Sequence, residues 1–148
     1  MRQAVEGADI VCTVTSSRQP VVEGAWLAPG VHLNVVGSSV AAAREVDTAA
    51  VVRSRLFVDR RESALAEAGD FLIPRNEGAV TDAHIQAELG EVLAGAHPGR
   101  SGRDEITLFK SVGLAVEDLA AAQAIHAAAK ASGAGTFVEL GGGREDGH

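Results

Sequence analysis

The chain has 148 residues, which suits one domain or part of a larger one. Hydrophobic residues make up 46% and charged residues 22%, a balance that argues against disorder. The formal net charge of -7 disfavours nucleic acid and membranes as partners, because both need clustered Lys and Arg. No signal-like segment opens the chain and its single cysteine cannot form an internal disulfide, so we expect a soluble cytoplasmic protein.

The first half of the chain alternates predicted strands with short helical segments. The strands are short apolar runs and cover residues 10–15, 32–36 and 56–58. Asp47 is predicted to cap a short helix, and Asp59 to begin another through a capping box with Glu62. This alternation is typical of a parallel sheet with helical crossovers.

The second half of the chain favours helices. One helix is predicted to begin at Thr81 and to end at Gly95. Its apolar face would carry Ile85, Leu89 and Val92. The other predicted segments are a loop over 95–103, a short strand over 106–109 and an Ala-rich helix over 113–132.

Together these elements predict an incomplete α/β domain. It would be the second half of a Rossmann-type parallel sheet, followed by the long Ala-rich helix. The first half of such a sheet normally supplies a G-x-G-x-x-G turn that binds phosphate at a helix N-terminus. Neither glycine-rich segment can replace that turn, since 141–143 has no strand before it and 95–102 follows a predicted helix.

Several motifs, in order and spacing, resemble the ornithine cyclodeaminase and mu-crystallin family. They extend from about Val5 to about Gly133 and read ADIVCTVTSSRQPVV, WLAPGVHLNVVGSS, REVD, LFVDRRESALAEAGD, AELGEVLAG and DEITLFKSVGLAVEDLAAA. The last motif is the most specific. The resemblance implies that residues 1–110 are the C-terminal half of an NAD(P)-binding Rossmann domain. Residues 111–137 would return to a dimerisation and substrate domain, and 138–148 would be a disordered tail.

The resemblance also implies a cofactor site for NAD or NADP. The positions that match the family's contacts are Thr15, Ser16, Val36, Gly37, Ser39 and Ser111. The carboxyl ends of strands in such sheets face the ligand, which supports a cofactor role for Thr15 and Ser16. Ordinary turn chemistry is the alternative for these hydroxyls, and Ser111 can also cap the helix that follows it.

Two residues match positions near the family's reacting centre. Ser39 stands where the cyclodeaminases typically have Asp, whereas the ketimine reductases and related dehydrogenases have Ser. A serine cannot act as a general base without a partner, so this difference disfavours cyclodeamination. Glu67 matches a carboxylate near the substrate and could orient an amine. The alternatives are a solvated turn for Ser39 and a solvated helix face for Glu67.

The function that follows is a fragment of an NAD(P)-dependent oxidoreductase acting on an amino acid or cyclic imine. It would be of the alanine dehydrogenase or ketimine reductase type, inactive alone, and would form a homodimer or pair with a missing N-terminal half. The alternatives are an ornithine cyclodeaminase, which converts ornithine to proline and ammonia, and a non-catalytic binding remnant.

Other polar residues are expected to be structural. His84, Glu88 and Glu91 lie at helical spacing, but no second His follows at metal-binding distance, so we expect no metal site. Cys12 is predicted to lie in the core, since it is in the middle of a strand. Asp70 is predicted to cap a loop.

Overall fold

The computed structural model describes residues 1–138. They belong to two compact units, Met1–Leu114 and Ala115–His148, the second of which is described to residue 138. All but the first residue of the tail predicted over 138–148 lies outside the described residues. None of the helices within 1–138 combines the length and the apolar character that a membrane span needs.

The first unit contains a five-stranded, fully parallel sheet. Its strands are β1 (Ile10–Thr13), β2 (His32–Val35), β3 (Ser54–Val58), β4 (Ile85–Glu88) and β5 (Ile106–Lys110). Their order in space is β1-β2-β5-β3-β4, so the last strand of the chain lies at the centre. The parallel sheet with helical crossovers confirms the predicted fold class.

Short helices connect the strands, and a long helix follows the sheet. They are α1 (Arg2–Val5), α2 (Thr48–Arg53), α3 (Arg61–Glu67), α4 (Gly69–Asn76), α5 (Leu89–Leu93) and α6 (Ala115–Ser132), with 3-10 turns at Gly24–Trp26 and Asp82–His84. The second unit is described here by itself: α6 has no buried residue, and Gly133 follows it with a left-handed φ of 67°. That glycine conformation is a common helix end, as the sequence predicts.

One face of the sheet forms the hydrophobic core. Leu33, Val35 and Leu108 point to this face and have no exposed area. They belong to one cluster with Ala50 of α2 and Phe71 of α4. The apolar faces of the short helices are therefore buried against the sheet, which is where most of their stability comes from.

The opposite face of the sheet has much less cover. Phe57 lies under the ring of His97, with ring centroids 5.5 Å apart, and α5 borders the same groove of about 430 Å³. Farther along this face Cys12 is exposed, so the prediction of a core cysteine is wrong. The reason is the strand period of two, which turns Ile10 and Cys12 away from the core and Val11 and Thr13 toward it.

The helix predicted from Thr81 to Gly95 is wrong over most of its length. The segment forms a 3-10 turn, then strand β4, and then the five-residue helix α5. Ile85 pairs in parallel with Leu56 of β3 and is 3% exposed. Pairing with the edge of the sheet thus overrides the helical spacing of the apolar residues.

The two predicted helix caps have different outcomes. Asp47 is confirmed as a cap, because its Oδ1 accepts from the Ala50 N–H at 2.8 Å. Asp59 is not a cap: α3 begins after Arg60 without a side-chain cap bond. A second helix that the sequence patterns do not predict, α4, begins at Gly69.

Candidate functional site

Three adjacent strands end side by side at one edge of the sheet. We call residues 13–16, 36–39 and 110–113 the carboxyl edge, since they are the ends of β1, β2 and β5 and the turns that follow. The N–H groups of Val36 and Gly37 both donate to the Thr13 carbonyl, at 3.0 and 3.2 Å. The Ser111 N–H donates to the Val35 carbonyl at 3.2 Å, which joins the third strand end to the second.

Gly37 lies where the ends of β1 and β2 approach most closely. A Cβ atom there would be 2.1 Å from the Thr15 carbonyl oxygen and 2.5 Å from Glu45 Oε1. No side chain fits in that space, so the chain's own packing requires a glycine. A close approach of a cofactor ring to Gly37 stays a prediction.

Glu45 binds the ends of both strands with one carboxylate. Its Oε1 accepts from the Thr15 N–H at 2.6 Å, and its Oε2 accepts from the Gly37 N–H at 2.7 Å and the Thr13 hydroxyl at 2.8 Å. Burial raises the pKa of the Glu45 carboxyl, but the hydrogen bonds from Thr15, Thr13 and Gly37 outweigh it and hold that pKa below its ordinary value. Glu45 is therefore an ionised, fully buried anchor.

Asp70 and Lys110 extend this anchor to the third strand. Asp70 lies in the first turn of α4, and its Oδ1 accepts from the N–H groups of Glu45 and Val46 at 2.7 and 3.1 Å. Its Oδ2 is 3.1 Å from Lys110 Nζ. Both side chains of this ion pair are buried, each with an exposed fraction of 2% or less. Lys110 Nζ also donates to the Ser38 carbonyl. Asp70 thus caps the backbone of residues 45–46, in the loop before α2. The sequence predicts a loop cap, but it predicts neither the burial of Asp70 nor its ion pair with Lys110.

Asp59 holds the turn that contains Ser111. Its Oδ2 accepts from the Ser111 hydroxyl at 2.9 Å and from the Val112 and Gly113 N–H groups at 2.8 Å each. A carboxylate only accepts, so the Ser111 hydroxyl proton is committed to Asp59. The Gly113 N–H in turn donates to Ser111 Oγ at 3.2 Å.

Several predicted site residues present their side chains to solvent at this edge. Thr15, Ser16, Val36 and Ser39 are all exposed. Ser38, in contrast, is buried and donates its hydroxyl proton to the Ala43 carbonyl at 2.8 Å. The edge therefore offers mixed polar and apolar groups to solvent, although Thr15 Oγ1 also accepts from the Ser17 N–H at 3.2 Å, as ordinary turn chemistry predicts.

Glu67 lies on a different element from the other predicted residues. It is the exposed last residue of α3. Gly69, two residues later, is packed against the loop that follows Ser39, since a Cβ there would be 2.1 Å from the Ala43 carbonyl oxygen. The junction of α3 and α4 thus contacts the loop between Ser39 and Glu45.

The buried charges were the part of this site that sequence patterns missed. In the sequence, Glu45 belongs to the motif REVD and Lys110 to the motif DEITLFKSVGLAVEDLAAA, and neither motif indicates a buried charge. A usable signal was present, because a lysine at the end of the apolar run ITLFK requires a buried partner once that run becomes a central strand.

Comparison with known proteins identifies the family. The profile of the ornithine cyclodeaminase/mu-crystallin family matches residues 1–133. The chain belongs to this family. The match confirms the resemblance in the sequence motifs and places the carboxyl edge within a family segment.

Relatives of this family member include a curated enzyme and solved structures. It is 44% identical to mouse ketimine reductase mu-crystallin over 126 residues, which are 85% of this chain and 37% of the mouse protein. It is 47% identical, with a TM-score of 0.86, to Thermococcus litoralis Delta(1)-pyrroline-2-carboxylate reductase in complex with NADH and L-proline. That match covers 93% of this chain and 42% of the reductase.

A third match is an archaeal alanine dehydrogenase dimer with bound NAD. The identity is 31% and the TM-score 0.81, over 95% of this chain and 42% of the dehydrogenase. This family member therefore spans about two fifths of the length of the proteins it matches.

The described residues of this family member fit one side of a dinucleotide site. The exposed hydroxyls and the Val36 side chain lie at strand carboxyl ends, where open α/β sheets bind ligands. No G-x-G-x-x-G turn, the motif that binds pyrophosphate at a helix N-terminus, joins a strand to a helix within residues 1–138. It also contains no cluster of three potential metal ligands, and Glu91 instead accepts from the Glu88 N–H at 2.8 Å at the start of α5.

Proposed function

We propose that the chain is the nicotinamide-facing part of an NAD(P)-dependent oxidoreductase acting on an amino acid or cyclic imine. The observation that carries the proposal is the carboxyl edge, where exposed polar side chains lie on strand ends that buried charges hold in place. Ligands of open α/β sheets bind outside such ends. The similarity to a ketimine reductase, a pyrroline-2-carboxylate reductase with NADH and an alanine dehydrogenase with NAD supports the same class.

The side chains of the edge suggest how the cofactor would be held. Val36 is 43% exposed and offers an apolar surface to one face of a nicotinamide ring. Thr15 and Ser16 offer hydroxyls for ribose or amide contacts. The proton of Ser111 Oγ is committed to Asp59, so toward a ligand this oxygen can only accept, for example from a carboxamide N–H. When bound, NAD(P)H would supply the hydride for the imine carbon.

Ser39 and Glu67 would act on the substrate. The Ser39 hydroxyl can donate a hydrogen bond to an imine nitrogen or accept one from the amine of the product. It has no partner base among the hydrogen bonds of the described residues, which suits binding and orientation rather than proton abstraction. The Glu67 carboxylate can accept from a protonated nitrogen and keep the charge of an iminium or ammonium near the edge.

The rest of the site would come from outside the described residues. We propose that residues 1–110 form the cofactor side and that 111–137 lead toward a dimerisation and substrate domain, with a second subunit or an N-terminal half as partner. The pyrophosphate loop and the groups that bind the substrate carboxylate would belong to that half. The exposed, free Cys12 is consistent with a reducing cytoplasm.

A chimera tests this function. Residues 1–138 would replace the matching segment of the Thermococcus litoralis reductase, and the rest of that reductase would supply the remainder of the site. We expect the purified chimera to bind NADH or NADPH and to oxidise it in the presence of Delta(1)-pyrroline-2-carboxylate. The loss of reduced-nicotinamide absorbance measures this oxidation.

The variant Ser39→Asp refines this test. We expect imine reduction to fall by roughly tenfold or more, because a misplaced charge at the reacting carbon disturbs substrate alignment. Ser63→Asp, on α3, is the matched control and should leave the rate unchanged. Unchanged kinetics in Ser39→Asp would remove Ser39 from the reacting centre.

Other outcomes would contradict the proposal in distinct ways. A folded chimera that releases ammonia from ornithine but reduces no imine would be a cyclodeaminase. A folded chimera that binds neither nucleotide would show that the carboxyl edge is not a cofactor surface.

A further inference from the structure

Three ionisable side chains behind the carboxyl edge have no role in the proposed chemistry. Glu45 and Lys110 have no exposed area, and Asp70 is 2% exposed. They come from three elements: the loop before α2, the first turn of α4, and the end of β5. Burying charges is costly, and replacing a buried ion pair by apolar residues is often neutral or stabilising. Stability alone is therefore a weak reason for their presence.

The contacts of these residues converge on the strand ends. Glu45 binds the β1 end at Thr15 and the β2 end at Gly37, so one rigid carboxylate sets the distance between two backbones. Asp70 holds the Glu45 backbone, and Lys110 neutralises Asp70. Lys110 also donates a hydrogen bond to the Ser38 carbonyl, next to Ser39.

A neutral replacement could not make the same contacts. The Glu45 carboxylate accepts three hydrogen bonds, two at Oε2 and one at Oε1. A glutamine has one oxygen acceptor, and its amide would direct N–H donors at N–H or O–H donors. The backbone geometry of the carboxyl edge therefore depends on the negatively charged carboxylate of Glu45.

We propose that Glu45, Asp70 and Lys110 form one buried positioning unit that sets the backbone geometry of Thr15 and residues 37–39. These residues touch no ligand and act through the edge that carries the candidate cofactor and substrate groups. The expected effect of this unit on catalysis rests on the proposed function. The structural part of the proposal concerns the 148-residue chain alone.

The test uses the double variant Asp70→Asn/Lys110→Met in the 148-residue chain. It removes both charges of the Asp70–Lys110 ion pair together, so neither partner is left buried without the other, and Asn keeps an oxygen for the Glu45 and Val46 N–H groups. It deletes the bond to the Ser38 carbonyl. The matched control is Arg55→Met/Glu105→Gln, which neutralises a partly exposed ion pair of 3.2 Å involving β3 and the residue before β5.

Amide hydrogen exchange reads out the positioning directly. We expect exchange in residues 37–43 to become faster by about tenfold or more, the effect of losing a hydrogen bond to a charged group, while β3 changes little. The control should leave 37–43 unchanged. Unchanged exchange there in the double variant overturns the proposal, and a uniform increase across the sheet does so too, since it indicates a general structural role.

The same substitutions in the chimera test the catalytic consequence. With folding intact, we expect NADH to bind about tenfold more weakly or kcat to fall while the substrate KM changes less. Faster local exchange with unaltered NADH binding and kcat would overturn positioning of the cofactor groups. If the unsubstituted chimera binds no nucleotide, the proposed function fails, while exchange in 37–43 still decides whether the unit holds the edge.

Discussion

Glu45 shows how one buried carboxylate couples the fold to pH. Its pKa in the folded chain lies below the ordinary value of 4.5, because hydrogen bonds from Thr15, Thr13 and Gly37 outweigh the opposing effect of burial. A depressed folded pKa contributes stability above the unfolded pKa, and that stability is lost as pH falls from 4.5 through the folded value.

We therefore expect Glu45→Gln to destabilise the chain at neutral pH and to approach the wild type in acid. Urea unfolding of both proteins from about pH 7 to about pH 3 would measure the gap in unfolding free energy. Glu62→Gln, an exposed change on α3, serves as the control and should show little gap at any pH. If the difference in unfolding free energy between Glu45→Gln and the wild type stayed constant with pH, it would contradict an ionised, hydrogen-bonded Glu45 carboxylate.

Asp59 illustrates what a local pattern cannot predict at the residue scale. Asp followed three residues later by Glu is a proper capping signal, yet the side chain bonds to residues 111–113, more than fifty positions away in the chain. That partner exists only after β5 has inserted beside β3. Asp47, whose cap partner Ala50 is three residues away, was predictable for the opposite reason.

At the scale of elements, the predictable strands were those with continuous apolar runs. β1, β2, β3 and β5 each coincide with a predicted run to within two residues at either end. β4, IQAE, has no continuous apolar run, and its Ile85 continues at helical spacing into Leu89 and Val92 of α5. A strand with two separated apolar residues cannot be distinguished from a helix before its pairing partner is known.

The pairing of β4 predicts that alanine substitutions at two apolar residues of that segment differ greatly in their effect on stability. Ile85→Ala should destabilise the chain by about 2 to 5 kcal/mol, because Ile85 is buried against β3. Leu93→Ala, at an 80% exposed position of α5, should change stability by about 0.5 kcal/mol or less. Urea midpoints compare them, and equal effects would contradict the burial of β4.

For the whole molecule, the feature with the widest consequence is the unequal cover of the two sheet faces. Parallel sheets usually carry helices on both faces. Here α2, α3 and α4 contribute to the core on one face, while the other bears a groove and the exposed Cys12. The family motifs were enough to predict a partial Rossmann sheet, but burial of individual residues depends on which face lacks cover, and the motifs do not contain that information.

Cys12 provides a chemical measure of this uncovered face. We expect the native chain to react rapidly with a thiol reagent such as dithionitrobenzoate at its single cysteine, without denaturant. In the chimera, where the rest of the reductase can cover the face, labelling should be about tenfold slower or more. Cys12→Ser gives the background rate. Reaction of the native chain only after addition of urea would show that Cys12 is shielded.

The central place of β5 also has a consequence for the order in which the protein can be built on the ribosome. Strands β1 and β2 can pair as they emerge, and so can β3 and β4, but the two pairs share no ladder until residues 106–110 arrive between them. Lys110, which neutralises Asp70, is the last residue of that strand. The nascent chain must therefore keep two half-sheets apart from each other and from neighbouring chains, and complete its fold only at the end of synthesis of this unit.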